Sequence, residues 1–319
     1  MREMAKKDVG IIDIVVYKFY SLLGLSCRTL FFALTPKKIV PKKELADFHV
    51  LYFCGKKGLK LLKASIMSIY LTWDRIPHIT VVTDGTPTSL IEQELQFWPY
   101  PITVKCWDES VTYLLSMGRD KLVEWSYRNV FARKLQSILV EAETRPTLYC
   151  DTDILWFGEP RIPQTTNNFV MRISEDNVPT YSETLISQLD RWDIMTKKPM
   201  NAGLIFLSGS PYQSYDGFAP LIDLASTHEE GPSEQLVFSL IAERLGDCWT
   251  LDEVIVDTTD LHWPLIPPYF FSGHAFARHH VLTKRSWFWR DALFLYFFRR
   301  KFVRKSVARI NTDAKEPSI

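Results

Sequence analysis

From residue 47 onward, short apolar runs alternate with stretches in which apolar residues recur every three or four positions. Runs of the first kind suit strands and the second kind suit amphipathic helices. Residues 48–54 predict a first strand closed by Gly55 and Gly58, after which Leu59, Leu62, Ile66, Ile69, Tyr70 and Trp73 fall on one helical face. Residues 79–83 predict a second strand ending at Asp84-Gly85, residues 88–97 a short helix, and residues 102–106 a third strand. A long helix is predicted over 126–142, followed by a buried strand over 147–150. Strands over 169–173 and 203–207 and a helix around 234–245 complete the pattern. No internal repeat or low-complexity linker interrupts it, so one α/β domain, residues 47–287, is expected with an extension at each end.

Composition narrows the field without naming a chemistry. The 319 residues are 46% hydrophobic and 24% charged, and 38 Lys+Arg against 37 Asp+Glu leave a net charge of +1. That balance lacks the basic excess of a protein held mainly by nucleic-acid phosphates, so no nucleic-acid partner is expected. Cys27, Cys54, Cys106, Cys150 and Cys248 are widely spaced and form no C-x-x-C pair. Neither a disulfide framework nor a zinc site is indicated, and reduced thiols in the cytoplasm are expected.

The two ends raise the question of a membrane. Residues 11–34 are apolar but broken by Asp13, Lys18 and Arg28, short of the ~20 uninterrupted residues a span requires. Residues 1–46 are therefore expected to form a helical extension with no export signal. At the other end, Trp287, Phe288, Trp289, Phe294, Tyr296, Phe297 and Phe298 are followed by Arg299, Arg300, Lys301, Arg304, Lys305 and Arg309. The tail, residues 288–319, either packs on the core with a solvated basic end or lies peripherally on the cytoplasmic face of an anionic membrane.

Chemistry concentrates after the fourth strand, where Asp151-Thr152-Asp153 follows residues 147–150 and Ile154-Leu155-Trp156-Phe157 follows in turn. Ligands of open α/β sheets bind beyond the carboxyl ends of strands, and two carboxylates at such an end can converge on one hard cation. Oxygen ligands suit Mg²⁺ or Mn²⁺ carrying a diphosphate. A solvated strand-end turn is the structural alternative. An aspartyl-phosphate phosphatase also places D-x-D after a buried strand, but Leu155 stands where that motif has Thr or Val.

Residues 131–157, from Phe131 through Arg133 to the D-x-D, resemble the corresponding helix, strand and acidic pair of GT-A-fold nucleotide-sugar glycosyltransferases. The arrangement is most similar to glycosyltransferase family 8. Met200 to Leu207 resembles that family's Asn-Ala-Gly segment, implying that Asn201 contacts the donor sugar and that Gly203 admits it closely. Glu234-Gln235 stands where the family often has Asp-Gln beside the anomeric carbon, and residues 279–287 are similar to its terminal H-x-x-G-x-x-K-P-W motif. The resemblance implies a Rossmann-like nucleotide-sugar half joined to an acceptor half. It also implies a Mn²⁺ or Mg²⁺ ion on Asp151, Asp153 and His279, with His274 and His280 as rival ligands. Arg285, with Lys284 as its rival, would meet donor phosphate, Arg133 would touch donor phosphate or sugar, and Asp84 would lie on the donor side.

Leu282 and Ser286 depart from the motif's Gly and Pro, and Cys54-Gly55-Lys56-Lys57 replaces the first-strand Asp that meets the nucleotide in many members. The implied reaction moves a sugar from a UDP- or GDP-sugar to a glycan, lipid-linked or protein acceptor with retention of configuration. An inverting enzyme would need a base, for which Glu234, Asp176 and Asp193 are candidates. For Arg133, Asn201 and Glu234 the structural alternatives are a surface helix cation, a strand-edge amide and a first-turn helix carboxylate. A nucleotide-sugar or glycan-binding protein with a degenerate site is the non-catalytic alternative.

Overall fold

The computed structural model describes residues 11–36, 38–41, 43–164, 169–228, 233–256, 275–281 and 287–298. Its first half runs α1 (Ile11–Leu34), β1 (Leu45–Cys54), α2 (Leu59–Thr72), β2 (Ile76–Thr83), α3 (Thr88–Leu95), β3 (Ile102–Cys106), α4 (Val111–Ser116), α5 (Asp120–Arg128), α6 (Val130–Thr144) and β4 (Thr147–Cys150). The second half runs β5 (Ile154–Trp156), β6 (Val170–Glu175), α7 (Glu183–Leu189), β7 (Met200–Ser208), α8 (Pro211–Ser214), α9 (Phe218–Ser226), α10 (Ser233–Leu245), β8 (Asp247–Trp249), β9 (Val254–Val256) and β10 (Ala277–His279). Residues 287–298 are helical.

Seven strands form one sheet in the order β3-β2-β1-β4-β7-β6-β8. β1 pairs in parallel with β2 and β4, and β2 with β3, whereas β7 runs antiparallel to both β4 and β6. The sheet is therefore mixed and mostly parallel, as expected. Strand order reverses between β1 and β4, which opens a crevice at their carboxyl ends.

Period-two alternation divides the core between the faces of the sheet. Val50, Tyr52, Leu148, Cys150, Leu204 and Phe206 join α2, α3 and helix 287–298 on one side. Leu51, Tyr149, Ile205 and Leu207 join α5, α6, α9 and α10 on the other. Each fully buried aliphatic or aromatic side chain contributes about 1.5–3 kcal/mol. Asp151 continues the parity of Tyr149, so its carboxylate faces α6.

The single helix expected over 126–142 is two. Asn129 adopts an extended backbone (φ −133°, ψ 123°), and its side chain accepts the Phe131 N–H at 2.8 Å. An Asn between two apolar-periodic segments stops one helix and caps the next.

α1 and helix 287–298 meet on the first face of the sheet. Phe31 and Phe32 of α1 lie 6.1 and 5.4 Å from the Trp289 ring, and Tyr296 donates to the Leu34 carbonyl at 2.8 Å. Trp287, Phe288, Trp289 and Leu295 are buried, whereas Phe297 and Phe298 are exposed. The aromatic part of the tail thus packs on the core as far as Leu295. The cations from Arg299 to Arg309 lie outside the described residues. Among the described residues, no helix is long and apolar enough to cross a membrane.

A three-stranded sheet, β5-β10-β9, lies after the acidic pair. β10 runs antiparallel to β5 with His279 opposite Ile154, which sets His279 beside Asp153 despite a separation of 126 positions along the chain. Helix 287–298 fastens this strand through charge. Asp291 binds Arg278 at 2.6 Å, His280 at 2.8 Å and Arg290 at 2.6 Å, and all four side chains are nearly inaccessible. Burial would raise the Asp291 pKa, but Arg278 and Arg290 outweigh it and hold the carboxyl well below the carboxylate range. Removing one partner from a buried ionic cluster leaves uncompensated charge, so Asp291→Ala should cost about 3–5 kcal/mol. Urea unfolding checks this, and an unchanged midpoint would contradict it.

Candidate active site

The crevice at the reversal point receives groups from β4, β7, β10, α6 and α10. β4 ends directly at Asp151, whose N–H donates to the Gly203 carbonyl at 2.7 Å. The β6–β7 register slips between Ile173 and Ser174, which pair with Ile205 and Asn201 respectively. The extra β7 residues bow toward Asp151, as bulged strands do when they re-aim side chains. Gly203 is required in this bow, because a Cβ there would sit 2.2 Å from His279 Cε1 and 2.8 Å from Asn201 Oδ1.

Asp151, Asp153 and His279 come together with one ligand atom from each lying within 4.8 Å of the others. His279 Nε2 is 3.1 Å from Asp153 Oδ1 and 3.7 Å from Asp151 Oδ2. On the other side of the ring, Nδ1 lies 2.9 Å from Asn201 Oδ1. Asn201 Oδ1 also accepts the Gly203 N–H at 2.8 Å, while Nδ2 donates to Asp176 Oδ2 at 2.8 Å, which fixes the amide orientation. An oxygen acceptor at Nδ1 favours the tautomer whose Nε2 lone pair faces the carboxylates. Burial would lower the His279 pKa, but Asp153 and Asp151 outweigh it and raise the pKa above its ordinary value. The place between ring and carboxylates therefore favours positive charge. Two carboxylates and one imidazole are a donor set that fits Mn²⁺ or Mg²⁺.

Lys134 was not singled out in the sequence. Its ammonium lies 3.3 Å from Asp151 Oδ1 and 3.7 Å from Glu234 Oε1, and 5.0 Å from the centre of the Tyr149 ring. Burial disfavours its charge, but Asp151 and Glu234 outweigh that and raise its pKa. The available signal was a cation sharing a helical face with Ile138 and Glu141 in the long helix predicted there. The Tyr149 hydroxyl donates to Asp151 Oδ1 and was also missed.

Glu234 lies in the first turn of α10, 2% exposed, and its Oε2 has no hydrogen-bond partner among the described residues. Burial drives its pKa up to about 7, against the pull of Lys134 and with the push of Asp151. Gln235 is committed to the main chain and Thr180, accepting from the Ala202 N–H at 3.5 Å and donating to the Thr180 carbonyl at 3.4 Å.

Asp84 and Arg133 form a separate group. Asp84 Oδ1 accepts from the Thr86 N–H and hydroxyl at 3.0 and 2.7 Å, closing its own turn. Arg133 donates to the carbonyls of Asp84, Ser126 and Tyr127 and stacks 4.7 Å from the Trp107 ring centre. These bonds tie the β2 loop to α6.

His280 points away from the carboxylates, bridging the Asp153 carbonyl and Asp291. Asp176 is buried against Asn201, and Asp193 sits on the surface with Arg191 and Lys197. His274, Leu282, Lys284, Arg285 and Ser286 lie outside the described residues.

The mixed seven-stranded sheet flanked by helices is a GT-A-like fold, and solved structures share this architecture. The chain is similar to apo mouse xyloside xylosyltransferase 1, with a TM-score of 0.51 and 13% identity over 73% of this chain and 97% of that one. It is also similar to the apo form of the bifunctional glycosyltransferase WbbM, with a TM-score of 0.50 and 10% identity over 84% of this chain and 53% of that one. No protein-family model and no curated protein sequence matches the chain. At these identities the likeness is one of fold.

The raised Glu234 pKa makes a signed prediction. Stabilisation by the protonated acid is complete below its unfolded value near 4.5 and is lost as pH climbs through about 7. Relative to Glu234→Gln, the wild type should lose on the order of 3 kcal/mol over that window. Urea midpoints measured against pH check this, and parallel curves for the two proteins would contradict it.

Proposed function

We propose that this protein is a metal-dependent glycosyltransferase of the family 8 arrangement, moving a sugar from a UDP- or GDP-sugar to a glycan, lipid-linked or protein acceptor with retention of configuration. The observation that carries this reading is the convergence of Asp151, Asp153 and His279 at the carboxyl edge of a GT-A-type sheet.

Departure of a nucleoside diphosphate from an anomeric carbon builds negative charge on the β-phosphate. A divalent ion held by Asp151, Asp153 and His279 Nε2 would supply Lewis-acid stabilisation of that charge. Asn201 and Asp176 orient the His279 ring for this task. Gly203 removes the side chain that would crowd it. Glu234 offers a buried oxygen without a partner among the described residues, a seat for a sugar hydroxyl or for the proton of the accepting hydroxyl. A pKa near neutrality suits a group that exchanges protons at physiological pH. Gln235 positions the Ala202 end of the bow. Arg285 would add fixed positive charge at the departing phosphate.

Calorimetric titration tests donor binding. UDP or GDP should bind only with Mn²⁺ or Mg²⁺ present, and Asp153→Asn should weaken that binding by at least about tenfold. Metal-independent binding, or no binding of either nucleotide, would contradict the reading. Proton NMR of the first-formed product reports stereochemistry. A product with the donor's anomeric configuration is expected, and an inverted anomer would exclude retention.

A further inference from the structure

Lys134 is a fixed cation beside a place suited to a mobile one. Its ammonium touches both oxygens of Asp151, at 3.3 and 3.4 Å. On the opposite side, Asp151 Oδ2 lies 3.7 Å from His279 Nε2. One carboxylate is thus shared between the Lys134 ammonium and the position where the candidate ligands converge. A divalent ion arriving there alone would meet a positive charge a few ångströms away in a buried setting. Repulsion between like charges is strong at such distances when water is excluded. A diphosphate reverses the sign, because its oxygens attract the ion and the ammonium together.

The side chain also has a second seat. Glu234 Oε1 is 3.7 Å from Nζ, and Oε2 of the same carboxyl has no partner among the described residues. A lysine stem has enough rotatable bonds to shift from one acid to the other. This inference rests on the metal reading of Asp151, Asp153 and His279. We propose that Lys134 is a resident counter-ion that holds Asp151 and Glu234 in the free protein, opposes a divalent ion arriving alone, and makes the ion and a diphosphate bind together. Lys134 then acts as a positioning residue that couples the binding of the two ligands.

Equilibrium dialysis of the full chain tests this, with Mn²⁺ alone and with Mn²⁺ plus inorganic pyrophosphate, counting bound manganese and bound phosphorus. Lys134→Met should bind Mn²⁺ alone at least about tenfold more tightly than wild type, through loss of the opposing charge. Lys134→Arg, which keeps the charge, should stay near wild type. Pyrophosphate should raise Mn²⁺ affinity more in the wild type than in Lys134→Met. Lys134→Gln serves as a second neutral variant if the methionine form does not fold, and the wild-type gain from pyrophosphate is read without any variant. Equal or weaker Mn²⁺ binding by the neutral variants overturns the role of Lys134 and leaves the metal reading standing. Absence of a pyrophosphate gain in the wild type overturns it as well. No Mn²⁺ bound by any form, with or without pyrophosphate, overturns both.

Discussion

Three acids crowded at the ends of β4 and α10 must be matched by positive charge, and the arrangement of the crevice follows from how that match is made. Asp151 and Glu234 both face the Lys134 ammonium, and Asp153 faces the His279 ring. Uncompensated burial of any of these carboxylates would be costly. The protein therefore carries a lysine ammonium on α6 and an imidazole on β10 into the site. Glu234, with one oxygen near Lys134 and the other without a partner among the described residues, is the acid on which the match is weakest. Its pKa near 7 expresses that imbalance.

Much of the sheet was legible because strand parity and helical spacing are local. Strands one to four, α2, the acidic pair and the Asn-Ala-Gly segment were placed within a few residues of where they lie. What escaped was non-local. β8, β9 and β10 are three residues each, too short for a periodic signal, and β10 is recognisable only through its pairing with β5 and β9. The break at Asn129 was missed because apolar spacing continues across it. Lys134 was missed because a lysine in an amphipathic helix is ordinarily solvent-facing, and only the parity of Asp151 and the position of α10 reveal what it meets.

The candidate site was readable in its residue types but not in their roles. Asn201, expected to touch a donor sugar, uses its amide to hold His279, Gly203 and Asp176. Arg133, expected at donor phosphate or sugar, directs its guanidinium to three backbone carbonyls. Gly203 shows the same shift, since the close approach it permits is that of the His279 ring. The contacts of these residues are with the protein that frames the cluster. Sequence motifs report position in the fold, and the contacts made there depend on neighbours far along the chain.

The long reach from Asp153 to His279 bears on how the protein comes into being. Strands β1 to β4 can assemble from the first half of the chain, but the crevice gains its imidazole only when β10 docks on β5. That strand is clamped in turn by Asp291, on the last described helix. Because residue 279 follows residues 151 and 153 along the chain, the imidazole is the last of the three groups to be synthesised.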